Sequence, residues 1–270
     1  MRAGSPRALA GLCLGIDPHP GLLAEWGLGD DAAGAREFGL RAVEAATGAV
    51  GIIKPQVAFF ERFGAAGYVA LEAVLAAARA AGLAVIADGK RGDIGSTVEG
   101  YARAWLLPGS PLEADAATFV AYQGTGSLEP ALALAEAHGK QCFLLAATSN
   151  PEAAVLQRAV TADGVSVAAA ILDDVEARNA RTGARHGVVV GATIAPAEFG
   201  LDLAAAERTP LLVPGFGAQG ARLGDVRRHF GAAADRVIAN VARDALRAGP
   251  AGLRARLGEL QDELAEGLAA

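Results

Sequence analysis

The sequence predicts an α/β protein, a single-domain (β/α)8 barrel, or TIM barrel, that spans residues 1–270. Eight short apolar runs recur along the chain, and amphipathic segments of helical periodicity lie between them. The runs are continuously apolar rather than alternating, which is typical of parallel strands covered on both faces. A chain of 270 residues suits one such barrel, which commonly needs about 250 residues.

The predicted strands follow one another at regular intervals. In chain order they are GLCLGI, AVGIIK, AVIAD, ATFVA, CFLLAAT, GVVVGAT, PLLVP and RVIAN. Apolar residues recur at helical spacing between them, as in the sets Tyr68, Leu71, Leu75, Ala78 and Val167, Ile171, Val175. We therefore expect strand and helix to alternate strictly, and the stretch from Asn150 to His186 to hold a loop and one long helix.

Composition and charge exclude several classes of protein. The formal net charge is -6 and Lys and Arg form no stripe, which argues against a nucleic-acid-binding surface. No apolar run reaches the ~18 residues that a membrane helix needs, so we expect a cytoplasmic protein. Cys13 and Cys142 lie in apolar runs and the histidines are scattered, which predicts buried, reduced thiols and no metal site.

Polar residues close most of the predicted strands. In a (β/α)8 barrel the carboxyl ends of the strands and the loops after them build the ligand site. We therefore expect these side chains to face one cavity: Asp17, Lys54, Asp88, Lys90, Asp93, Ser149, Asn150, Gln219 and Arg243.

Four of these residues form a charged set, Lys54, Asp88, Lys90 and Asp93. A single strand-end Asp often caps a helix and a single Lys is often merely solvated, but alternating charges beside an apolar strand predict a partly desolvated network. A Lys flanked by carboxylates keeps its proton. It is therefore suited to electrostatic stabilisation and proton donation rather than to Schiff-base chemistry.

A glycine-rich segment, PGFGAQGA, runs from Pro214 to Ala221 after the seventh strand. Its three glycines match the dinucleotide pattern G-x-G-x-x-G only formally, because the segment does not follow the first strand of a βαβ unit. A turn that opens a helix does present backbone N–H groups to an anion, and barrels often bind phosphate here. With Arg243 as a clamp, the segment predicts a phosphate monoester site.

Together, the segments LCLGIDPHP, IIKPQVAFFE, DGKRGDIGST, AATSNPEA and PGFGAQGA resemble the orotidine 5'-phosphate decarboxylase family, in its longer bacterial branch, type 2. The likeness runs from Leu12 to about Leu246. It implies a homodimeric barrel with shared active sites that converts orotidine 5'-phosphate to UMP and CO2 in pyrimidine biosynthesis. It also implies that the reaction uses no cofactor and no metal.

The resemblance also implies roles for the charged residues. Lys90 would stabilise a carbanion at C6 of the pyrimidine and protonate it, and Asp88 would face the departing carboxylate. Lys54 would link the charges and contact the ribose. Asp93 would reach the active site of the neighbouring subunit, together with Ile94 and Thr97.

The same resemblance implies the substrate contacts. Asp17 would bind the ribose hydroxyls and Ser149 the pyrimidine amide, while Gln219 and Arg243 would bind the phosphate. Two further residues of the glycine-rich segment, Pro214 and Gly217, are expected to line the substrate site.

Two positions depart from the family pattern. Gly89 stands between Asp88 and Lys90, where the branch commonly has Ala, and no Pro precedes Tyr122 in VAYQGTG. Two other functions remain open at this stage. One is a metal-dependent sugar-phosphate decarboxylase or synthase of the same barrel superfamily, which reuses the Asp-x-Lys-x-x-Asp pattern. The other is a nucleotide-binding homologue that has lost turnover.

Overall fold

Eight parallel strands close into a barrel in which neighbours in the sequence are neighbours in space, and the last strand pairs with the first. The computed structural model describes residues 9–270. The strands are β1 (Gly11–Ile16), β2 (Ile52–Pro55), β3 (Ala84–Arg91), β4 (Ala116–Phe119), β5 (Gln141–Ala147), β6 (Gly187–Val190), β7 (Leu211–Pro214) and β8 (Val237–Val241). Each lies within or overlaps one predicted apolar run, so the predicted fold class is confirmed. The predicted domain also includes residues 1–8, which lie outside the described residues.

Helices cover the outside of the barrel. They are α1 (Pro20–Glu25), α2 (Ala32–Ala46), α3 (Ala58–Glu61), α4 (Gly64–Ala80), α5 (Gly95–Leu106), α6 (Glu129–Ala137), α7 (Ala154–Gln157), α8 (Val167–Thr182), α9 (Val226–Phe230), α10 (Arg243–Leu246) and α11 (Gly249–Ala269). Within residues 9–270, no helix combines the length and the apolar character that a bilayer crossing requires.

Local sequence signals explain where the long helix α8 begins and ends. The Ser166 hydroxyl accepts a hydrogen bond from the Ala169 amide at 2.9 Å, and Gly183 follows the helix in a left-handed conformation with φ 73°. The stretch from Asn150 to His186 therefore holds a loop and one long helix, as predicted, with the short α7 before it.

The predicted strict alternation of strand and helix fails at one crossover, between β6 and β7. Between β6 and β7 the described chain forms only a short 3-10 helix, Pro196–Phe199. Gly200 ends it in a left-handed conformation with φ 67°, and Pro210 follows just before β7. Proline and left-handed glycine both interrupt an α-helix, so this crossover stays irregular.

The inner faces of the strands change from apolar to polar along the barrel axis. A buried apolar cluster fills the interior of the barrel toward the amino ends of the strands and includes Cys13, Ile52, Ile86, Ala116 and Ile238. Since side chains two residues apart in a strand point to the same face, the next inward positions carry polar groups at four of these five strands. They are Lys54, Asp88, Thr118 and Asn240, whereas β1 continues with Gly15 and then Asp17. The alternation of each strand thus leads directly from the core to a polar cavity.

Candidate active site

A cavity of about 240 Å³ opens at the carboxyl ends of the strands. Seven of the residues predicted from the sequence line it, on strands or loops from both halves of the barrel. They are Asp17, Lys54, Asp88, Lys90, Pro214, Gln219 and Arg243.

The Asp88 carboxylate bridges two ammonium groups. Lys54 Nζ donates to Asp88 Oδ2 at 2.7 Å, and Lys90 Nζ donates to Asp88 Oδ1 at 2.6 Å. Lys54 and Asp88 are buried, whereas the Lys90 side chain is 42% exposed. The outermost charge of this Lys–Asp–Lys array is therefore the one that a ligand in the cavity can reach.

Mutual attraction keeps the buried members of the array ionised. Burial alone would raise the pKa of Asp88, but the two neighbouring ammonium groups outweigh it and hold that pKa well below its ordinary value. Burial alone would likewise lower the pKa of Lys54, but Asp88 and Asp17 outweigh it and raise that pKa. Asp88 and Lys54 are therefore both ionised at neutral pH.

Asp17 lines the same cavity, but its pKa shifts in the opposite direction to that of Asp88. Burial raises its pKa, since the opposing attraction of Lys54 is the smaller effect. Its Oδ1 atom is buried and has no hydrogen-bond partner among the described residues. A buried acceptor of this kind is costly unless a donor reaches it, so Asp17 is suited to receive a ligand hydroxyl.

Two residues that hold Asp88 in place were not predicted. Thr118 Oγ1 donates to Asp88 Oδ1 at 2.9 Å and accepts from the Lys90 amide at 2.9 Å. In the amide orientation that its neighbours require, Gln56 donates to Asp88 Oδ2 at 3.1 Å and accepts from Lys90 Nζ at 3.2 Å. The signal for Thr118 was its inward register two residues after Ala116, and the signal for Gln56 was its place directly after β2.

The backbone at Lys90 is unusual. Among residues 9–270, Lys90 is the one non-glycine residue with positive φ, at 47°. The pairing of β3 with β4 also shifts register between Ala87 and Arg91. Interruptions of strand pairing re-aim side chains next to active sites, and here the register shift accompanies the turn of Lys90 toward Asp88.

The glycine-rich segment folds back on itself beside the cavity. The Gly217 amide donates to the Ala221 carbonyl at 2.8 Å, and Gly215, Gly217 and Gly220 all have positive φ. After Arg222, a 3-10 turn, Leu223–Asp225, runs directly into α9, so the segment leads into a helix through that turn. The φ of +117° at Gly215 explains why the chain needs glycine there.

The predicted phosphate and pyrimidine contacts divide into two groups. Pro214, Gln219 and Arg243 line the cavity, and within residues 9–270 no carboxylate pairs with Arg243. Ser149 lies beside them, because its hydroxyl donates to Gln219 Oε1 at 3.0 Å. Gly217 does not line the cavity: a Cβ atom there would lie 2.6 Å from Asp244 Cβ, so this glycine permits close packing against α10.

Asp93, Ile94 and Thr97 lie outside this cavity. The Asp93 Oδ1 atom accepts a hydrogen bond from the Ile94 amide at 2.8 Å, and the Ile94 side chain is 60% exposed. Within one described chain the charged array thus ends at Lys90. Across residues 9–270, no three His, Cys, Asp or Glu side chains are grouped so that they could hold a metal ion.

Comparisons with known proteins agree with one another. The model of the orotidine 5'-phosphate decarboxylase / HUMPS family matches residues 11–256. A Salinispora tropica protein named orotidine 5'-phosphate decarboxylase is 51% identical over 243 residues, which cover 88% of this chain and 86% of that protein. The solved structure of Leishmania donovani OMP decarboxylase is similar with a TM-score of 0.77 and 32% identity, covering 96% of this chain and 94% of that one.

A solved structure from Streptomyces avermitilis is more similar still. It is assigned as an orotidine 5'-phosphate decarboxylase, and it matches with a TM-score of 0.89 and 47% identity over 96% of this chain and 91% of that one.

The bridging geometry predicts that Asp88→Asn destabilises the fold. Without the carboxylate, the buried Lys54 ammonium loses its counter-charge, and breaking a buried pair in this way costs about 3–5 kcal/mol. Urea denaturation at pH 7 measures the change. The exposed Asp262→Asn is the matched control and should unfold like the wild type.

The same substitution has a predicted pH dependence. The pKa of Asp88 is lower in the folded protein than the pKa of an Asp in the unfolded chain, which is about 3.9. The ionised carboxylate therefore stabilises the fold above about pH 3.9, and this stabilisation is lost as the pH falls from there toward the pKa of the folded state. The gap between wild type and Asp88→Asn should therefore narrow below about pH 4. A gap that stays constant from pH 7 to pH 3 would contradict this assignment.

Gly89→Ala is predicted to be stabilising. A Cβ atom at Gly89 would lie 3.7 Å from Arg91 Cγ and 3.8 Å from Trp105 Cε2, which is ordinary contact, and Gly89 does not have positive φ. The substitution should add about 0.4–1 kcal/mol to the free energy of unfolding by restricting the unfolded chain. Gly109→Ala is the contrasting control, because φ there is 83°, and it should be destabilising.

Proposed function

Because the chain belongs to the orotidine 5'-phosphate decarboxylase / HUMPS family, we propose that its Lys54, Asp88 and Lys90 carry out the family's reaction in the cavity described above. The chain is a carboxy-lyase that decarboxylates orotidine 5'-phosphate to UMP and CO2 in pyrimidine biosynthesis. The observation that carries the assignment of residues is the Asp88 carboxylate bridging two ammonium groups at 2.7 and 2.6 Å.

The chemistry explains why fixed positive charge is needed. When the bond from C6 to the carboxylate breaks, its electron pair stays on C6 in the plane of the ring, where the π system cannot delocalise it. A preorganised cation at that position stabilises the developing charge without reorganisation. Lys90 holds its ammonium at the exposed end of the array and gives one proton to C6, which completes UMP.

Asp88 has two parts in this mechanism. It fixes the direction of the Lys90 ammonium, and it faces the carboxylate that leaves as CO2. Thr118 and Gln56 restrain the Asp88 carboxylate from two further sides, so it does not swing away from an anionic ligand.

The remaining cavity residues bind the parts of the substrate that do not react. Asp17 accepts hydrogen bonds from the ribose hydroxyls, and Ser149 contacts the pyrimidine amide. Gln219 and Arg243 bind the phosphate beside Pro214. Binding energy from the phosphate holds the substrate carboxylate close to Asp88, against their repulsion. The proposed reaction requires no metal and no cofactor.

We further propose that the active site is completed by a second copy of the chain in a homodimer. Asp93, Ile94 and Thr97 follow the catalytic strand directly but lie outside their own cavity, and Ile94 exposes a large apolar side chain. In a two-fold dimer, each chain would place this segment at the site of its partner. A cytoplasmic location follows from a biosynthetic role that uses nucleotides.

A turnover assay tests the function and separates it from its rivals. Purified protein in excess chelator should consume orotidine 5'-phosphate at the same rate as protein without chelator, as followed by absorbance. Lys90→Ala should lower kcat by at least about a hundredfold, because it removes both the cation and the proton donor. Activity that chelation abolishes would favour the metal-dependent rival, and UMP binding without any turnover would favour the silent homologue.

Mixed dimers test the sharing of active sites. Co-expressed Lys90→Ala and Asp93→Asn chains should form mixed dimers in half of all cases, each with one intact site out of two. The preparation should therefore recover about a quarter of the wild-type activity, whereas each variant alone stays inactive. Verified mixed dimers without recovery would show that Asp93 acts within its own subunit.

A further inference from the structure

Lys90, the proposed cation and proton donor at C6, has an unfavourable backbone conformation. Its φ of 47° lies in the left-handed region, where a residue with a Cβ atom is strained. Such a conformation persists only where the surrounding structure determines it by several contacts. The residue before it, Gly89, has no side chain that could contribute.

The contacts that hold this part of β3 come from two directions. On the side of β4, the Lys90 amide donates to Thr118 Oγ1 at 2.9 Å, and the Val120 amide donates to the Arg91 carbonyl at 2.8 Å. On the outer side, the Arg91 side chain leaves the strand away from the cavity, which it does not line.

The Arg91 guanidinium joins three helices to the end of β3. Its Nη2 donates to Glu61 Oε1 in α3 at 2.7 Å and to the Tyr68 hydroxyl in α4 at 3.3 Å. The Tyr68 hydroxyl in turn donates to Glu61 Oε1 at 2.8 Å. Arg91 Cζ also lies 5.7 Å from the centre of the Tyr101 ring in α5.

The charges of this cluster are constant around neutral pH. Partial burial would raise the pKa of Glu61, but the hydrogen bonds from Tyr68 and Arg91 outweigh it and lower that pKa. Partial burial and the contact with Glu61 raise the pKa of Tyr68. Glu61 is therefore a carboxylate and Tyr68 a neutral phenol around neutral pH.

We infer that Arg91 is a positioning residue for Lys90. Arg91 follows Lys90 directly, and its side chain contacts Glu61, Tyr68 and Tyr101. These contacts hold the left-handed backbone that aims the Lys90 ammonium at Asp88 and the substrate. The inference rests on the proposed role of Lys90. A partly exposed ion pair without such a role would add little to the free energy of unfolding, so the test must measure the chemistry rather than stability alone.

The experiment compares Arg91→Gln and Arg91→Lys with wild type. Misplacing a catalytic group by about 1 Å can cost about a hundredfold in rate, so kcat for orotidine 5'-phosphate should fall roughly ten- to a hundredfold in Arg91→Gln. The affinity for UMP, measured by calorimetry, should stay within about twofold, because Arg91 does not line the cavity. Arg91→Lys should recover part of the kcat lost in Arg91→Gln, since it keeps a positive charge beside Glu61 but not the planar guanidinium whose Nη2 also reaches the Tyr68 hydroxyl.

Two further variants keep the test decisive if Arg91→Gln folds poorly. Glu61→Gln removes the carboxylate charge that Arg91 contacts in α3 without altering β3, and it should also lower kcat, by less than Arg91→Gln because the amide oxygen still accepts a hydrogen bond. Arg103→Gln is the matched control, because Arg103 pairs with Glu99 on the exposed face of α5 at 3.0 Å, and it should keep wild-type kcat.

The outcomes separate this inference from the function on which it rests. Wild-type kcat in both Arg91→Gln and Glu61→Gln would overturn the positioning role, as would an equal loss of kcat in Arg103→Gln. A loss of UMP affinity as large as the loss of kcat would also overturn it, because it would indicate general damage to the cavity. Wild-type turnover by Lys90→Ala would instead refute the proposed role of Lys90 itself.

Discussion

The site depends on one buried carboxylate held between two ammonium groups. Asp88 contacts Lys54 on one oxygen and Lys90 on the other, and neither buried charge would be tolerated without the other. The array nevertheless carries one excess positive charge, in a chain whose formal net charge is -6. A locally positive cavity in an acidic protein attracts an anionic ligand to one place, since local fields outweigh the net charge at short range.

The barrel supplies the geometry for this array. The parallel pairing places Lys54 beside Gly15 on β1, and Gln56, just after β2, bridges to Asp88 on β3. Because β2 and β3 are neighbours, two ammonium groups and a carboxylate from separate parts of the sequence come within hydrogen-bond distance. Gly15 has little room for a side chain, as a Cβ atom there would lie 2.9 Å from Ala242 Cβ.

The sequence predicts the barrel and the charged array because both follow from short, regular patterns. Strand ends mark Lys54, Asp88 and Lys90 without any knowledge of tertiary contacts. Thr118 is missed because it lies inside an apolar run, where only the barrel register shows that it faces Asp88. The left-handed backbone of Lys90 has no local signal, since glycine and asparagine are the residues that normally indicate it. The close packing of Gly217 against α10 is not predicted either, because a motif does not show which side of a turn faces a neighbouring helix.

The two halves of the site meet different physical demands. Strands β2 and β3 hold the charged array, and in the proposed mechanism a reacting C6 atom needs its cation within a narrow range of positions. The proposed phosphate contacts, Gln219 and Arg243, lie on a glycine-rich turn and at the start of α10, where an arginine would recognise an anion with less demand on position. Under the proposed assignment, a ligand that spans both halves would be aligned by its phosphate end at one wall of the barrel and would react at the other. This separation lets remote binding energy act on the chemistry without any change in the array itself.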